Sequence, residues 1–393
     1  MKKKSGWIPI VLLVFMIFCM PMMCQAKEDE KKEVEVDAKS AVLMELETGT
    51  VLYEKNAEEM LRPASVTKVM TLLLIFEAIE RGEMTLEDTV VISEHAASMG
   101  GSQCFFEAGE EQTVRDMIKC IEIASGNDAA VAMAEHICGS EDAFVERMNA
   151  RAKELGMQHT NFVNACGLEA QEHLTCALDI AIMSRQLLLY HPEITEYSTI
   201  WMDHIFHVTK RGKSQFDLAN TNKFLNQYTG ANGLKTGYTS QAGYCMSATA
   251  SRNGITLVAV IMGAKTKEER NRSAMRLLDY GFAQCTTYED TQVLGDIKDV
   301  EVKNGVADSV SVKEIPSYSF PLIQCAPSEI KKEILPYKNL KAPIYEDDIV
   351  GVVQYSGPQG LLDECYIYAA QDIKKLDIKY SISYMISKIF MIK

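Results

Sequence analysis

Alternation of hydrophobic and polar positions predicts a β-hairpin early in the chain. Apolar residues dominate Ala41–Leu46 and Val51–Tyr53, and the intervening 47–49 has the composition of a turn. After Pro63 the pattern changes to that of a helix. Apolar side chains recur at helical spacing at Val66, Val69, Met70, Leu73 and Leu74. A sheet therefore starts at the hairpin, and the helix that follows should be buried on most sides.

Two more helices are predicted in the next part of the chain. Thr113 and Asp116 have the spacing of a helix N-terminus, and the apolar residues behind them line one face. The triplet Ser125-Gly126-Asn127 interrupts this pattern, and a further helix is predicted from about Asp128 to Ile137. The triplet should therefore lie at a break between two helices.

Strand patterns return towards residue 283. Leu234–Gly237 predicts a short strand, and Cys245–Ser251 with Ile255–Met262 predicts a second hairpin. A helix that begins near Thr266 should close this unit. Strands at both ends with helices between them predict an α/β layer domain over 38–283, whose sheet is assembled from remote segments.

The last hundred residues have a different character. Short segments rich in Val and Ile, broken by Asn-Gly and Pro, predict a small all-β domain over 287–370. The segment 371–393 places apolar side chains on one helical face and several lysines elsewhere, which is typical of a helix on an anionic membrane surface. A terminal helix docked on the β domain is the alternative, and the segment is too short and interrupted to span a bilayer.

The N-terminus has the features of an export signal. Lys2, Lys3 and Lys4 precede an apolar run from Trp7 to Met23, and small residues follow at the expected cleavage point. We interpret 1–26 as a cleaved signal peptide, with an uncleaved anchor as the alternative. Either way, the body of the protein is expected outside the cytoplasm.

Charge and cysteine content narrow the classes of function. The formal net charge of -14 among 393 residues argues against a general nucleic-acid-binding protein, because a phosphate backbone requires clustered Lys and Arg. Of 11 cysteines, Cys19 and Cys24 lie in the leader, which leaves an odd number without metal-ligand spacing. We therefore expect buried free thiols, no disulfide framework, no metal and no cofactor.

Ser65 and Lys68 are the first candidate catalytic residues. They lie three positions apart at the head of a predicted helix, so that the hydroxyl and the amine share one face. Serine is a weak nucleophile until a base accepts its proton, and lysine is a base only when its pKa falls by about three units. Burial, a helix N-terminus and a second cation can together lower that pKa.

Each candidate motif is common by itself, and the combination carries the signal. The Ser-x-x-Lys spacing recurs at Ser328 and Lys331, where we assign no role, and Ser-x-Asn recurs at Ser251 and Asn253. The informative arrangement has three parts in a fixed order. Ser65-x-x-Lys68 begins a helix, Ser125-Gly126-Asn127 separates two helices, and Lys235-Thr236-Gly237 lies on a strand.

This arrangement resembles the active-site-serine penicillin-binding proteins, and is most similar to the low-molecular-mass D-alanyl-D-alanine carboxypeptidases. The similar stretches are Arg62–Lys68, Gly100–Gln103, Ile123–Ala130 and Gly233–Thr239. The resemblance covers nearly the whole mature chain. It implies a β-lactamase/transpeptidase-like α/β (α+β) domain with an antiparallel sheet and a helical subdomain, then a small all-β domain and an amphipathic membrane-surface helix.

The resemblance also implies roles for the first two motifs. Ser65 would attack the carbonyl of the penultimate D-alanine and form an acyl-enzyme, while Lys68 accepts its proton. Ser125 would relay a proton towards the departing D-alanine. Asn127 would hydrogen-bond to Lys68 and to the substrate amide.

The third motif would bind the substrate. Lys235 and Thr236 would hold the terminal carboxylate, and the charge of Lys235 would help to keep the catalytic amine neutral. Gly237 would leave room for the substrate along the strand edge. The backbone N–H groups of Ser65 and Tyr238 would form the oxyanion hole.

These roles imply specific partners and leave two alternatives. The expected partners are the peptidoglycan stem pentapeptide, β-lactam antibiotics and the outer face of the cytoplasmic membrane. A class A-like β-lactamase is the enzymatic alternative, but Glu169 and Glu172 lack an Asn at the offset which that class requires. A penicillin-binding scaffold without turnover is the other, although a scaffold has no physical need for the intact motifs.

Overall fold

The computed structural model describes residues 34–378, 380 and 382. The predicted signal peptide, 1–26, and most of the predicted amphipathic helix lie outside the described residues. The helices of the described part are α1 (Lys68–Glu80), α2 (Glu94–Ala97), α3 (Val114–Glu122), α4 (Asn127–Cys138), α5 (Glu141–Glu154), α6 (Ala177–Tyr190), α7 (Ile194–Ser198) and α8 (Lys267–Phe282). Three short 3-10 turns, Ala64–Thr67, Lys223–Asn226 and Pro327–Glu329, accompany them.

Strands occupy both ends of the described chain. Those before α8 are β1 (Ser40–Glu45), β2 (Val51–Lys55), β3 (Thr89–Val91), β4 (Glu111–Thr113), β5 (Met202–Thr209), β6 (Gly212–Ala219), β7 (Ala231–Thr239), β8 (Gly243–Arg252) and β9 (Ile255–Ala264). Those after it are β10 (Cys285–Asp290), β11 (Asp299–Lys303), β12 (Ser309–Ser311), β13 (Tyr318–Ile323), β14 (Lys331–Pro336), β15 (Leu340–Lys341), β16 (Ile349–Gly357) and β17 (Gly360–Tyr368).

A five-stranded antiparallel sheet joins strands from both ends of the segment 38–283 in the order β2-β1-β9-β8-β7. Strand β9 is buried at nearly every position. Because successive side chains of a strand point to opposite faces, both faces of the sheet must be covered there. Helices α6 and α8 pack on β9 and provide cover. The predicted sheet of remote segments is confirmed, and β7 is left at its edge.

Helix α1 lies inside the domain, as its apolar spacing predicts. Every residue from Lys68 to Ala78 is buried. The helix does not begin directly behind Pro63, however, because Ala64 has a positive φ of 49° and a 3-10 turn precedes the α-helix. This turn projects Ser65 away from the core at a point where Ala64 and Val66 are buried.

The predicted helix break is also present. Thr113 caps α3, since its hydroxyl accepts a hydrogen bond from the N–H of Asp116. The helix ends at Glu122, and α4 starts at Asn127. The four residues between these helices include Ser125, which has a φ of 61°, a backbone conformation that a serine rarely adopts.

The chain from Cys285 to Tyr368 contributes strands and one 3-10 turn to the structure. Its buried apolar residues form a cluster of their own around Tyr355, which is fully buried. The backbone then continues to pair with this region, because Ile373 exchanges two hydrogen bonds with Ile344 and the N–H of Leu376 donates to Asn304. Among the described residues, no helix is long and apolar enough to cross a bilayer.

Candidate active site

The 3-10 turn Ala64–Thr67 carries the predicted nucleophile Ser65, and we refer to it as the nucleophile turn. It lies beside the edge strand of the sheet. The residue at its apex, Ser65, is partly exposed, whereas Lys68 is completely buried. Strand β7 packs against this turn. A Cβ on Gly237 would lie 2.9 Å from both the carbonyl oxygen of Pro63 and the backbone nitrogen of Ser65. Glycine is therefore required at this point for the strand to approach the nucleophile so closely.

The Lys68 amine contacts three oxygen atoms. Its Nζ lies 3.2 Å from Ser65 Oγ, 2.6 Å from Asn127 Oδ1 and 2.8 Å from the carbonyl oxygen of Cys166. Burial and, to a smaller extent, the positive charge of Lys235 together lower the pKa of Lys68 to about 7, against the opposing effect of Cys166. A substantial fraction of this amine is therefore uncharged at neutral pH, next to a serine hydroxyl.

The break between α3 and α4 brings the second motif to the same place. The Asn127 side chain accepts its hydrogen bond from Lys68 and donates one of 2.7 Å to the carbonyl oxygen of Gly100. Ser125 is buried, and its Oγ has no hydrogen-bond partner among the described residues. An unpaired buried hydroxyl is costly, and it is free to bond to a ligand that enters the site.

Strand β7 supplies the third motif. Lys235 and Thr236 are buried, with Lys235 only 1% exposed, while Tyr238 is 56% exposed and its ring packs against Tyr244. Burial lowers the pKa of Lys235, and the nearby Glu122 carboxyl opposes this effect. The structure thus brings Lys235 close enough to Lys68 to help lower the pKa of Lys68.

Several groups at the site escaped the sequence reasoning. The carbonyl oxygen of Cys166 is a backbone atom in an irregular loop, for which no sequence pattern exists. Asp128 accepts hydrogen bonds of 2.8 Å from the N–H groups of Cys104 and Phe105 and so anchors the loop beside Asn127. Asp128 directly follows Ser125-Gly126-Asn127 in the sequence, and this adjacency is the signal that could have identified it.

His173 also belongs to the support of the nucleophile turn. It is buried, its Nε2 lies 2.8 Å from Thr67 Oγ1, and its Nδ1 accepts a hydrogen bond from the N–H of Val163. The Thr67 hydroxyl in turn donates to the carbonyl oxygen of Ala64. His173 is thus linked through Thr67 to the turn that holds Ser65.

Comparison with known proteins identifies the family. The model of the D-alanyl-D-alanine carboxypeptidase family, peptidase S11, matches residues 25–266. The D-alanyl-D-alanine carboxypeptidase DacF of Bacillus subtilis is 42% identical over 368 residues, which cover 93% of this chain and 94% of that protein. The chain belongs to the D-alanyl-D-alanine carboxypeptidase family.

Solved structures of penicillin-binding proteins agree with this assignment. The peptidoglycan synthesis regulatory factor PBP3 of Streptococcus pneumoniae superposes with a TM-score of 0.73 at 27% identity, over 86% of this chain and all of that one. Penicillin-binding protein D2 of Listeria monocytogenes in its ampicillin-bound form gives a TM-score of 0.53 at 30% identity, over 63% of this chain and 98% of that one.

Membership in the D-alanyl-D-alanine carboxypeptidase family confirms the resemblance inferred from three short motifs. It also confirms that the chain is a serine-type hydrolase of the penicillin-binding class and that its fold is a mixed α/β arrangement with antiparallel sheets. The roles of the individual residues are a separate matter and depend on the geometry described above.

Proposed function

We propose that this protein removes the terminal D-alanine from peptidoglycan stem pentapeptides through an acyl-enzyme on Ser65. The observation that carries the proposal is the buried amine of Lys68, 3.2 Å from Ser65 Oγ, with its pKa lowered to about 7. A base with a pKa near the working pH is suited to proton transfer. The names of the relatives supply the substrate class.

Acylation begins with the hydroxyl of Ser65. Its oxygen attacks the carbonyl carbon of the penultimate D-alanine while its proton moves to Lys68 Nζ. The oxyanion that forms accepts hydrogen bonds from the backbone N–H groups of Ser65 and Tyr238, each worth about 3 kcal/mol in other enzymes. The C–N bond then breaks, and the departing amine takes a proton from Lys68 through the Ser125 hydroxyl, which leaves an ester on Ser65.

The substrate carboxylate is bound by strand β7. The Lys235 ammonium and the Thr236 hydroxyl hold this group, because a charged donor in a dry site binds an anion strongly. Asn127 bonds to the substrate amide, and Gly237 leaves space for the peptide beside the strand. This arrangement suits a peptide with a free C-terminal carboxylate one residue beyond the reacting carbonyl.

Water completes the cycle. A water molecule attacks the ester carbonyl, gives one proton to Lys68, and releases the shortened peptide with the regenerated hydroxyl of Ser65. A β-lactam undergoes the same first step, but its broken C–N bond leaves the amine tethered in the site, so that the ester is long-lived. The ampicillin-bound relative from Listeria monocytogenes supports this expectation.

The arrangement of the nearby carboxylates favours the peptidase over a β-lactamase. Glu169 is exposed, and its Oε1 accepts a hydrogen bond from the N–H of Gln241 rather than facing Ser65. Glu172 is exposed as well. Neither is placed as the buried base that fast hydrolysis of the penicilloyl ester requires.

The test compares two serines that share the same local motif. Ser65→Ala should abolish D-alanine release from a peptide ending in D-Ala-D-Ala, measured by coupled oxidation of the free amino acid. The matched control is Ser328→Ala in the exposed 3-10 turn Pro327–Glu329, which should retain wild-type release.

Labelled penicillin provides the second readout. Mass spectrometry should find one adduct, on the peptide that contains Ser65. Hydrolysis of many benzylpenicillin molecules per second would instead show a β-lactamase. An adduct without D-alanine release from the wild-type protein would show a scaffold, and unchanged release by Ser65→Ala would refute the assignment of the nucleophile.

We further propose that the protein works at the outer face of the cytoplasmic membrane. The residues 287–370 would form a small β domain next to the catalytic domain over 38–283, and an amphipathic helix would follow on the lipid surface. The predicted start of this helix at 371 is wrong, because 371–377 are not helical and pair with the β-rich region, so that the proposed helix begins after Asp377. Ile378 and Ile382 support this, because both are helical and exposed, at 80% and 49%. An apolar side chain on this scale of exposure is suited to a lipid surface.

A further inference from the structure

The buried carboxyl group of Glu122 belongs to a residue that contacts Lys235, the proposed carboxylate-binding lysine. Glu122 is the last residue of α3, three positions before Ser125, and is 2% exposed. Its backbone carbonyl oxygen lies 3.5 Å from Lys235 Nζ, and its Oε2 has no hydrogen-bond partner among the described residues. A buried carboxyl oxygen without a partner is costly, and a nearby cation offsets part of that cost.

The two buried groups act on each other. Burial lowers the pKa of Lys235, and the negative charge of Glu122 raises it. Burial raises the pKa of Glu122, and the positive charge of Lys235 lowers it. Each group therefore favours the charged form of the other in a place where water does not.

The other ionisable groups of the site act chiefly on the catalytic amine. Helix α1 presents Lys68, whose positive charge and that of Lys235 oppose each other. The groups that act on Lys68 besides Lys235 are the Cys166 and Cys104 thiols and the Asp128 carboxylate. Among these groups, Glu122 is the anion that acts on Lys235.

We propose that Glu122 is a positioning residue that keeps Lys235 protonated, so that a fully buried amine can bind the terminal carboxylate of the substrate. This inference rests on the proposed function, since it concerns the lysine that holds the substrate. Without Glu122, Lys235 would lose its proton at a lower pH, and the site would lose its attraction for the carboxylate in mildly alkaline solution.

The pH profile of kcat/KM tests this role with Glu122→Gln. The alkaline limb should move towards neutral pH by about one unit, the size expected for loss of a nearby opposite charge. Because the pKa values of Lys68 and Glu122 both lie at about 7, the acid limb reports both groups, and the alkaline limb is the one that tests the role of Glu122. The loss of activity at alkaline pH should appear as a rise in KM more than as a fall in kcat. Rates are divided by the concentration of active sites, which is titrated with labelled penicillin, so that unfolded molecules are not counted.

Companion variants separate charge from shape. Glu122→Asp keeps the charge and should return the alkaline limb towards its wild-type position. Glu122→Met introduces an apolar side chain of similar length and replaces Glu122→Gln if that variant does not fold. It should move the alkaline limb in the same direction. The matched control is Glu77→Gln, a buried glutamate paired with Arg151 at the far end of α1, which should leave both limbs in place.

The outcomes distinguish the two proposals. If the wild-type protein releases D-alanine and both uncharged variants keep its alkaline limb, the role of Glu122 is wrong and the function stands. If the wild-type protein releases no D-alanine, the function fails first. In that case, the pH dependence of acylation by benzylpenicillin is measured instead. If Glu122→Gln moves its alkaline limb, the role of Glu122 is supported; if the limb stays in place, that role is overturned.

Discussion

Two residues of the site hold a backbone conformation that their side chains disfavour. Ala64, directly before the nucleophile, has a φ of 49°, and Ser125 has a φ of 61°. Such residues typically cost about 1–3 kcal/mol each and persist where the surroundings fix them. Here the hydrogen bonds from His173 through Thr67 to Ala64 fix the first. The orientation of Ser65 therefore depends on residues that never touch a substrate.

His173 should make the stability of the protein depend on pH. Burial lowers its pKa to about 4, so that the unfolded chain binds a proton below about pH 6.5 and the folded protein does not. The stabilisation is therefore complete above pH 6.5 and is lost progressively towards pH 4, by about 3 kcal/mol. Urea unfolding between pH 8 and pH 4 should show this slope, and His173→Gln should flatten it.

A histidine elsewhere provides the control. His204→Gln removes a largely exposed imidazole from β5 and should keep the wild-type slope. An equally steep slope for wild-type protein and His173→Gln would mean that other groups cause the acid sensitivity.

At the scale of elements, the loop before α6 acts as a support for the nucleophile turn. Its Gly167 has a φ of 86°, and a Cβ there would lie 1.9 Å from the carbonyl oxygen of Ala64. Gly167→Ala should therefore displace the turn or the loop, and the rate of acylation by benzylpenicillin should fall at least about tenfold.

Gly156 offers a matched control for this substitution. Its φ is 78°, but a Cβ there meets nothing within 4 Å. Gly156→Ala should cost about 1 kcal/mol of stability through its backbone conformation and leave the acylation rate unchanged. Equal acylation rates for the two alanine variants would show that the loop does not position the turn.

The elements nearest to the motifs could be predicted, and those that complete the site could not. The two hairpins follow from period-two patterns and turns, and the start of α3 from its capping threonine. Helices α5 and α6 and the β5–β6 hairpin were not predicted. The loop that supplies Cys166 has no periodicity, because its backbone is held by side chains such as Asn164, whose Oδ1 accepts hydrogen bonds from the N–H groups of Gly167 and Leu168.

At the scale of the whole molecule, the end of the β-rich region determines where a tail can be removed. Ile373 is buried and paired with Ile344, and Leu376 is bonded to Asn304. Truncation after Asp377 keeps these contacts and removes the proposed membrane helix. The truncated protein should remain in the supernatant after membranes are sedimented and should release D-alanine from soluble peptides at the wild-type rate.

A shorter truncation tests the boundary itself. Removal of all residues after Asp372 also deletes Ile373 and should lower the melting temperature, measured by calorimetry, whereas the longer protein should melt like the full chain. If the protein that ends at Asp377 still sediments with membranes, the attachment lies elsewhere.

Sequence patterns predicted which side chains meet at the proposed site more fully than they predicted the charges of those side chains. The hydroxyl, the amine and the carboxylate-binding strand each carry a motif. Glu122 carries none, because its effect arises from burial opposite Lys235, a residue remote in the chain. Long-range electrostatic pairs of this kind exist only in the folded molecule, and no local spacing reveals them.

The groups around the proposed catalytic amine also come from remote parts of the chain, since Lys68 meets Asn127 across 59 positions and Cys166 across 98. A newly made or incompletely folded polypeptide therefore contains Ser65 and Lys68 without the burial that lowers the pKa of the amine. We therefore expect the protein not to cleave amides before it has folded. Ser65 should become reactive only when the tertiary structure forms. Acylation of this serine by labelled penicillin should therefore report native folding as directly as a spectroscopic signal does.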